Sequence, residues 1–198
     1  PYPVYVISGT IIFQSIAEAI RLPAEAVNKG KSMLVKLNFP RESLLISSFL
    51  TVVFNLFFKL IALVVLLVFL GNLFSFSALL FLPAIIGSIF FGFGLGVFLI
   101  PFQMLYNDFT RAINLAMQVL LYLTPVVYAY PDSGFLLKVA QLNPLTSLVM
   151  VPRNYLTGQD IHFLPSYFTT VGIGVLIFLL GWTLYRITMP IVIERAGT

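Results

Sequence analysis

No cysteine occurs in these 198 residues, which excludes disulfides, thiolate nucleophiles and Cys-ligated metals. Histidine is limited to His162, and the seven acidic residues are scattered. No His/Asp/Glu group has metal-ligand spacing, so neither a metal centre nor a catalytic constellation is expected, and His162 reads as a solvated loop residue. Charge is scarce as well: 9% of residues are charged, against about 25% in soluble domains, while 60% are hydrophobic. Such a chain has more apolar surface than its own core can hide, so lipid has to cover the remainder. Gly30-Lys31-Ser32 ends like a phosphate-binding loop, but Glu25 stands where that loop needs its first glycine and no strand precedes it. ATP binding through this segment is not expected.

What is present is a set of long uncharged stretches: Pro1 to Ala17, Ser43 to Phe58, Leu60 to Asn107, Ala112 to Pro131 and Ile161 to Tyr185. A helix needs about 20 mostly apolar residues to cross a hydrocarbon core of about 30 Å. Leu60 to Asn107 is too long for one crossing, and Gly71, Asn72 and Ser75 supply a turn within it. The expected crossings are therefore Tyr5 to Ile20, Leu44 to Leu70, Ser77 to Phe102, Ile113 to Tyr130 and Ser166 to Tyr185. The fold class is all-α, a polytopic transmembrane bundle with five spans. The first stretch lacks the basic start and cleavage site of a secretory signal. Without an initiator Met, the chain is expected to lack the start of a longer one.

Lysine and arginine collect in cytoplasmic loops, so their placement orients the chain. Arg21, Lys29, Lys31, Lys36 and Arg41 follow the first span, Arg111 lies in the next loop on that side, and Arg186 and Arg195 follow the last span. Only Lys138 and Arg153 fall on the opposite side. The C-terminus is thus expected in the cytoplasm, and the net charge of +4 reflects this bias rather than a nucleic-acid partner. Two connections exceed turn length. Residues 22–40 mix Val27, Met33, Leu34 and Leu37 with Lys29, Lys31 and Lys36, which suits a helix at the membrane surface or docked on a partner, or a basic loop resting on anionic lipid. Pro23 would be its first helical position, and Phe39-Pro40 would end it. Residues 132–165 carry two apolar pieces, Phe135 to Leu142 and Leu145 to Leu156, split by Asn143-Pro144. Each is too short to span, so a pair of re-entrant or interfacial helices fits.

Within the third span Ala84, Ser88, Gly92 and Gly96 recur every four residues, a stripe of small side chains that lets a neighbouring backbone approach. Pro101 is expected to bend or end that helix. Lys59 lies deep in the second span with Asn55 one turn away, at an insertion cost of about 2.5–3.5 kcal/mol. A conduit-facing role and snorkelling of its long stem both remain open. Glu18 is the obvious counter-ion, but counting from the span ends puts the two at different depths.

In order along the chain stand Pro1-Tyr2-Pro3, Phe39-Pro40-Arg41-Glu42, Tyr106-Asn107-Asp108-Phe109, Thr124-Pro125-Val126-Val127-Tyr128 and Asn143-Pro144-Leu145. With this order and spacing, the sequence resembles, over nearly its whole length, the ABC-2 type permease of polysaccharide ABC exporters, the family of O-antigen, capsule and teichoic-acid export. Asn107 departs from the pattern, where the family often has Arg before the Asp. The resemblance implies a single permease domain over 1–198, a sixth span missing at the N-terminus, and a homodimer in the bacterial inner membrane. It further implies that 22–40 is a cytoplasmic coupling segment docked on a separate ABC ATPase subunit, with Glu25, Val27, Met33, Leu34 and Lys36 as contact residues. ATP and Mg would bind that partner, and this chain would need no cofactor. Residues 132–165 would form an outer gate with Phe135, Asn143, Pro144 and Arg153. Asn55, Lys59, Tyr122 and Tyr128 are the conduit candidates for a lipid-linked glycan. A membrane-embedded enzyme acting on a lipid-linked substrate is the alternative, disfavoured by the lack of clustered polar groups in the spans. An ion-coupled carrier would show more intramembrane carboxylates than Glu18.

Overall fold

The first helix, α1 (Tyr2–Lys36), is one uninterrupted rod of 35 residues. The computed structural model describes residues 2–36, 40–70 and 76–196, for 31–36, 76, 107 and 191–196 the backbone alone. The expected break between a first span and a separate segment from Leu22 is therefore not there. Pro23 sits inside the helix, where it removes one intrahelical bond; interior prolines are tolerated in membrane helices because neighbouring groups re-satisfy the freed backbone. Good helix formers follow it, from Ala24 to Lys29. Packing also continues past it, since Gly30 still meets the Leu44 side chain on the next helix.

The remaining helices are α2 (Glu42–Phe69), α3 (Phe81–Leu105), α4 (Asn107–Leu123), α5 (Gly134–Leu142), α6 (Pro144–Thr157) and α7 (Leu164–Ala196), with a 3₁₀ turn at Phe76–Leu80 leading into α3. Among the described residues all regular structure is helical. The turn expected at Gly71, Asn72 and Ser75 lies outside them. Helix α3 runs through Pro101 to Leu105 instead of ending there. Four helices are long and apolar enough to cross a membrane, Tyr2–Gly30, Glu42–Phe69, Ser77–Leu105 and Leu164–Pro190, or five if the α5–α6 pair counts as one bent span.

That pair is bent by 88°, and its contacts lie at one end of the bundle. Ser88 donates to the Leu148 carbonyl, and Arg153 stacks on Tyr5, near the starts of α3 and α1. The pair thus has the two short helices expected in the loop at 132–165, and its bend is that of a re-entrant loop or of a broken span. The fourth expected crossing, Ile113 to Tyr130, is not among these spans. Helix α4 stops at Leu123 because Thr124 precedes Pro125 and is pushed out of helical conformation. Its 17 residues reach about 25 Å, short of a hydrocarbon core of about 30 Å. Together with residues 124–128 it runs from the level of Arg21, where Ile113 and Asn114 face α1, to that of Tyr2, whose hydroxyl donates to the Val127 carbonyl.

Helix α3 is the centre, packed on α7 and on α1 more extensively than any other pair. All three run in the same direction: residues 92 and 96 of α3 meet 16 and 20 of α1, and Gly174 and Gly181 of α7 meet Phe91 and Phe98 of α3. The small-residue stripe explains the first contact. A Cβ on Gly92 would lie 2.8 Å from the Ile16 carbonyl oxygen, and one on Gly96 2.6 Å from that of Ile20. Ser88 adds a hydroxyl that reaches α6. This is the close helix approach that small side chains permit in lipid. Replacing Gly96 by Ala is expected to push the α1 backbone away and destabilise the protein by about 1–3 kcal/mol, whereas Gly172→Ala, whose Cβ would meet nothing within 4 Å, should be neutral or stabilising. Unfolding of both variants in detergent checks the contrast.

Candidate functional site

Helix α1 turns its buried side to α3 and a polar ridge the other way. Thr10, Gln14, Glu18, Arg21, Glu25 and Asn28 follow one another at three- or four-residue intervals, which places them along one helix face. Helix α4 carries a matching stripe, Arg111, Asn114, Gln118 and Tyr122, all exposed. A cleft of about 360 Å³ separates the two, with Gln14, Ala17 and Arg21 on one wall and Asn114, Met117 and Gln118 on the other. On the opposite flank of α1, α2 places Ser47, Thr51, Asn55 and Lys59 at every fourth residue. A second cleft lies there, between Leu22, Glu25 and Lys29 of α1 and Ser47 and Thr51 of α2.

Glu18 joins these helices. Its carboxylate accepts from Lys59 Nζ at 2.8 Å and from Asn55 Nδ2 at 3.4 Å. The expectation that Glu18 and Lys59 lie at different depths is thereby corrected. It assumed that α1 ends at Ile20 and α2 begins at Leu44, but α1 continues and the two helices pair in register as far as Gly30 and Leu44. The ion pair is about four-fifths buried and neutral as a unit, which removes most of the cost of placing Lys59 in lipid. Arg21 and Glu25 pair at 3.0 Å one turn further on.

Beyond the far end of the α1–α4 cleft, the Thr124–Tyr128 segment is bound to the start of α1 and to α6. Tyr2 donates to the Val127 carbonyl at 2.8 Å and Tyr5 to that of Tyr128 at 3.2 Å. Arg153 Nη1 donates to the Pro125 carbonyl at 2.8 Å and to that of Val126 at 3.4 Å. Asn143 caps α6 by accepting from the Leu145 amide, and its Nδ2 donates to Thr124 Oγ1 at 2.8 Å. The Tyr128 hydroxyl folds back to donate to the Leu123 carbonyl at 3.2 Å, which takes up one of the acceptors left open at the end of α4.

Among the conduit candidates, Asn55 and Lys59 meet at Glu18, Tyr122 stands on the α4 stripe 70% exposed, and Tyr128 belongs to the Thr124–Tyr128 segment. Of the gate candidates, Asn143 and Arg153 converge on residues 124–126, Pro144 starts α6, and Phe135 is exposed. The coupling candidates divide. Glu25 is half-buried, but Val27 is fully buried and so cannot belong to a free docking face; it falls on the bundle side of a helix that continues from the first span. The side chains of Met33, Leu34 and Lys36 lie outside the described residues. Sequence reasoning missed Tyr2, Tyr5, Gln14, Asn114 and Gln118. The four-residue spacing of Asn114, Gln118 and Tyr122 within an expected span was the signal that could have found the last two.

Removing one member of a buried ion pair strands the other, at a cost of about 3–5 kcal/mol. Lys59→Met is therefore expected to lower stability or membrane yield, and adding Glu18→Gln should recover most of the loss. Yield and melting of the two variants in detergent give the test: a single variant as stable as the parent would show that Glu18 does not depend on Lys59.

No family model matches the chain. It is similar to the O-antigen export system permease protein RfbA of Klebsiella pneumoniae, with 24% identity over 186 residues that cover 88% of this chain and 71% of that protein. A helical, multi-pass chain of permease type is what the likeness and the bundle together support.

Proposed function

We propose that this chain is the membrane subunit of an ATP-driven exporter that moves a lipid-linked polysaccharide, or a similar amphiphilic glycan, outward across the bacterial inner membrane. The observation that carries the reading is the polar cleft between α1 and α4, which follows the bundle from the level of Arg21 towards Tyr5. A carboxamide ridge facing acyl chains would leave its donors and acceptors unsatisfied at a cost of several kcal/mol. Facing water and a hydroxyl-rich substrate, the same amides both donate and accept, and the Tyr122 ring offers a flat apolar face. A second copy of the chain completes the walls. The likeness to an O-antigen export permease supports the substrate class, and the bias of Lys and Arg puts the Arg21 end in the cytoplasm.

The energy source is a separate ABC ATPase. Helix α1, at 35 residues, is about 52 Å long and exceeds a hydrocarbon core of about 30 Å by several turns. Those surplus turns, with Met33, Leu34 and Lys36, reach the ATPase, so the coupling element is the rigid end of a conduit helix and not a detached segment. ATP binding then shifts the wall itself.

Two outcomes follow for cells in which the chain is produced with its ATPase. Replacing Asn114 and Gln118 together by Leu removes two hydrogen-bonding positions worth about 1 kcal/mol each and should lower surface glycan roughly tenfold or more; unchanged glycan at normal protein level would remove the cleft from the route. Met33→Asp with Leu34→Asp should abolish export while the protein still inserts, and ATP hydrolysis by the purified complex should lose its dependence on substrate. Wild-type export in that variant would rule out docking through this end of α1.

A further inference from the structure

Arg153 is the largest side chain that the bundle buries completely, with no exposure to solvent or lipid. A guanidinium carries its charge at any physiological pH, so burying it needs partners, and among the described residues no carboxylate supplies them. Instead its central carbon lies 3.6 Å from the centre of the Tyr5 ring, within the range of a cation–π contact. One nitrogen, Nη1, reaches the carbonyls of Pro125 and Val126. Nε and Nη2 have no protein acceptor among the described residues. Space for this arrangement comes from Gly9, where a Cβ would lie 2.9 Å from the Val126 oxygen and 3.2 Å from Arg153 Nη1.

Three elements meet at this one group: α6, the start of α1, and the Thr124–Tyr128 turn that ends α4. The turn's backbone hydrogen bonds are local, from the Thr124 amide to the Leu120 carbonyl and from the Val126 amide to the Thr124 carbonyl, and among the described residues none ties it across the bundle. Apart from Arg153, side-chain bonds from Tyr2, Tyr5 and Asn143 tie it down, and Tyr5 is also the ring on which Arg153 rests. A structural core position would be filled more cheaply by an apolar side chain, because a buried cation with incomplete hydrogen bonding is costly. What a cation on backbone carbonyls offers in exchange is a contact that can be made and broken as a unit.

We propose that Arg153 is the pin of an outer gate: it holds the Thr124–Tyr128 turn across the far end of the α1–α4 cleft, and its release from the Pro125 and Val126 carbonyls lets α4 swing from α1 and opens the exit. The gate part of this inference rests on the cleft being the conduit; the hold of Arg153 on the turn does not. Both can be read separately, because these residues contain no cysteine and single introduced thiols can report. Val126 is fully buried beside the guanidinium, so Val126→Cys supplies a turn reporter, which reads release of the turn. Gln14→Cys supplies a cleft reporter, which reads access to the space between α1 and α4.

Each reporter is labelled with a membrane-impermeant maleimide, in intact cells for the far side and in inverted vesicles for the Arg21 side. With Arg153 in place, the turn reporter should be silent from outside and the cleft reporter should react only from the Arg21 side. Adding Arg153→Met should raise labelling from outside at least tenfold at both positions. Tyr5→Leu, which removes the supporting ring and the bond to Tyr128, should raise it severalfold and serves if the Arg153 variant does not accumulate. Unchanged labelling of the turn reporter in either variant, at normal yield and melting temperature, overturns the pin. Labelling gained at the turn reporter but not at the cleft reporter, while the latter still reacts from the Arg21 side, overturns the claim that the pin closes the cleft. A cleft reporter that is silent from the Arg21 side counts against the cleft as conduit, and the pin is then judged on the turn reporter alone.

Discussion

How closely other backbones can approach α3 decides the arrangement of everything else. In lipid there is no hydrophobic drive to press two helices together, so association depends on close packing and on hydrogen bonds that lipid cannot supply. Helix α3 meets that requirement on two faces. Gly92 and Gly96 admit the α1 carbonyls, while on the other side Gly174 and Gly181 of α7 rest on the backbone of Phe91 and Phe98. Ser88 and the Ala84 carbonyl then take polar contacts, from Ser88 to Leu148 on α6 and from Tyr167 to Ala84. A spine of three parallel helices results, with the bent α5–α6 pair wedged at its start.

Once α1 is held by that face, the opposite one is committed too. A helix cannot turn its apolar stripe to α3 without presenting Gln14, Glu18 and Arg21 on the far side, since they share the same period. Helix α2 meets part of this ridge by direct pairing, through Lys59 and Asn55 on Glu18. Helix α4 meets the rest at a distance, with a cleft between. One ridge therefore serves two purposes. Towards α2 it is an interhelical lock, neutral and mostly buried; towards α4 it is a polar wall of Gln14 and of Arg21, itself paired with Glu25, set across a gap. The difference lies in what opposes it, charged groups in contact on one side and carboxamides across a gap on the other.

Much of this was legible in the sequence because lipid imposes long, simple signals. Uncharged runs marked the spans, the four-residue recurrence of Ala84, Ser88, Gly92 and Gly96 marked a packing face, and Asn143-Pro144 marked the break between α5 and α6. What was not legible depended on where helices stop. Pro23 reads as a helix start in isolation, yet in the bundle it lies within a helix; the depth of Glu18 was misplaced by counting along the span, and Val27, a docking contact by resemblance, falls on the buried side of the continuing helix. The contacts of the 124–128 turn were out of reach for another reason. They run from side chains to carbonyls more than 120 residues away in the case of Tyr2 and Tyr5, and backbone acceptors leave no mark on side-chain pattern.

The two charged groups most costly to bury are handled in opposite ways, and the contrast fits their positions. Lys59 has a carboxylate partner and a neighbouring amide, so its charge is cancelled where α1 and α2 must stay together. Arg153 has only carbonyl dipoles and a ring face, so its charge is solvated without being cancelled, where α4 meets α1 and α6. An ion pair in a low-dielectric setting resists separation, since parting the charges strands both. A cation on neutral dipoles can move to another set of dipoles, or to water, at a smaller loss. On the proposed coupling, the α1–α2 contact is suited to transmit force along rigid helices from the basic end. On the same proposal, the contact at Arg153 is suited to yield, and the compliant joint of the bundle would lie at the end of the cleft farthest from the surplus turns of α1.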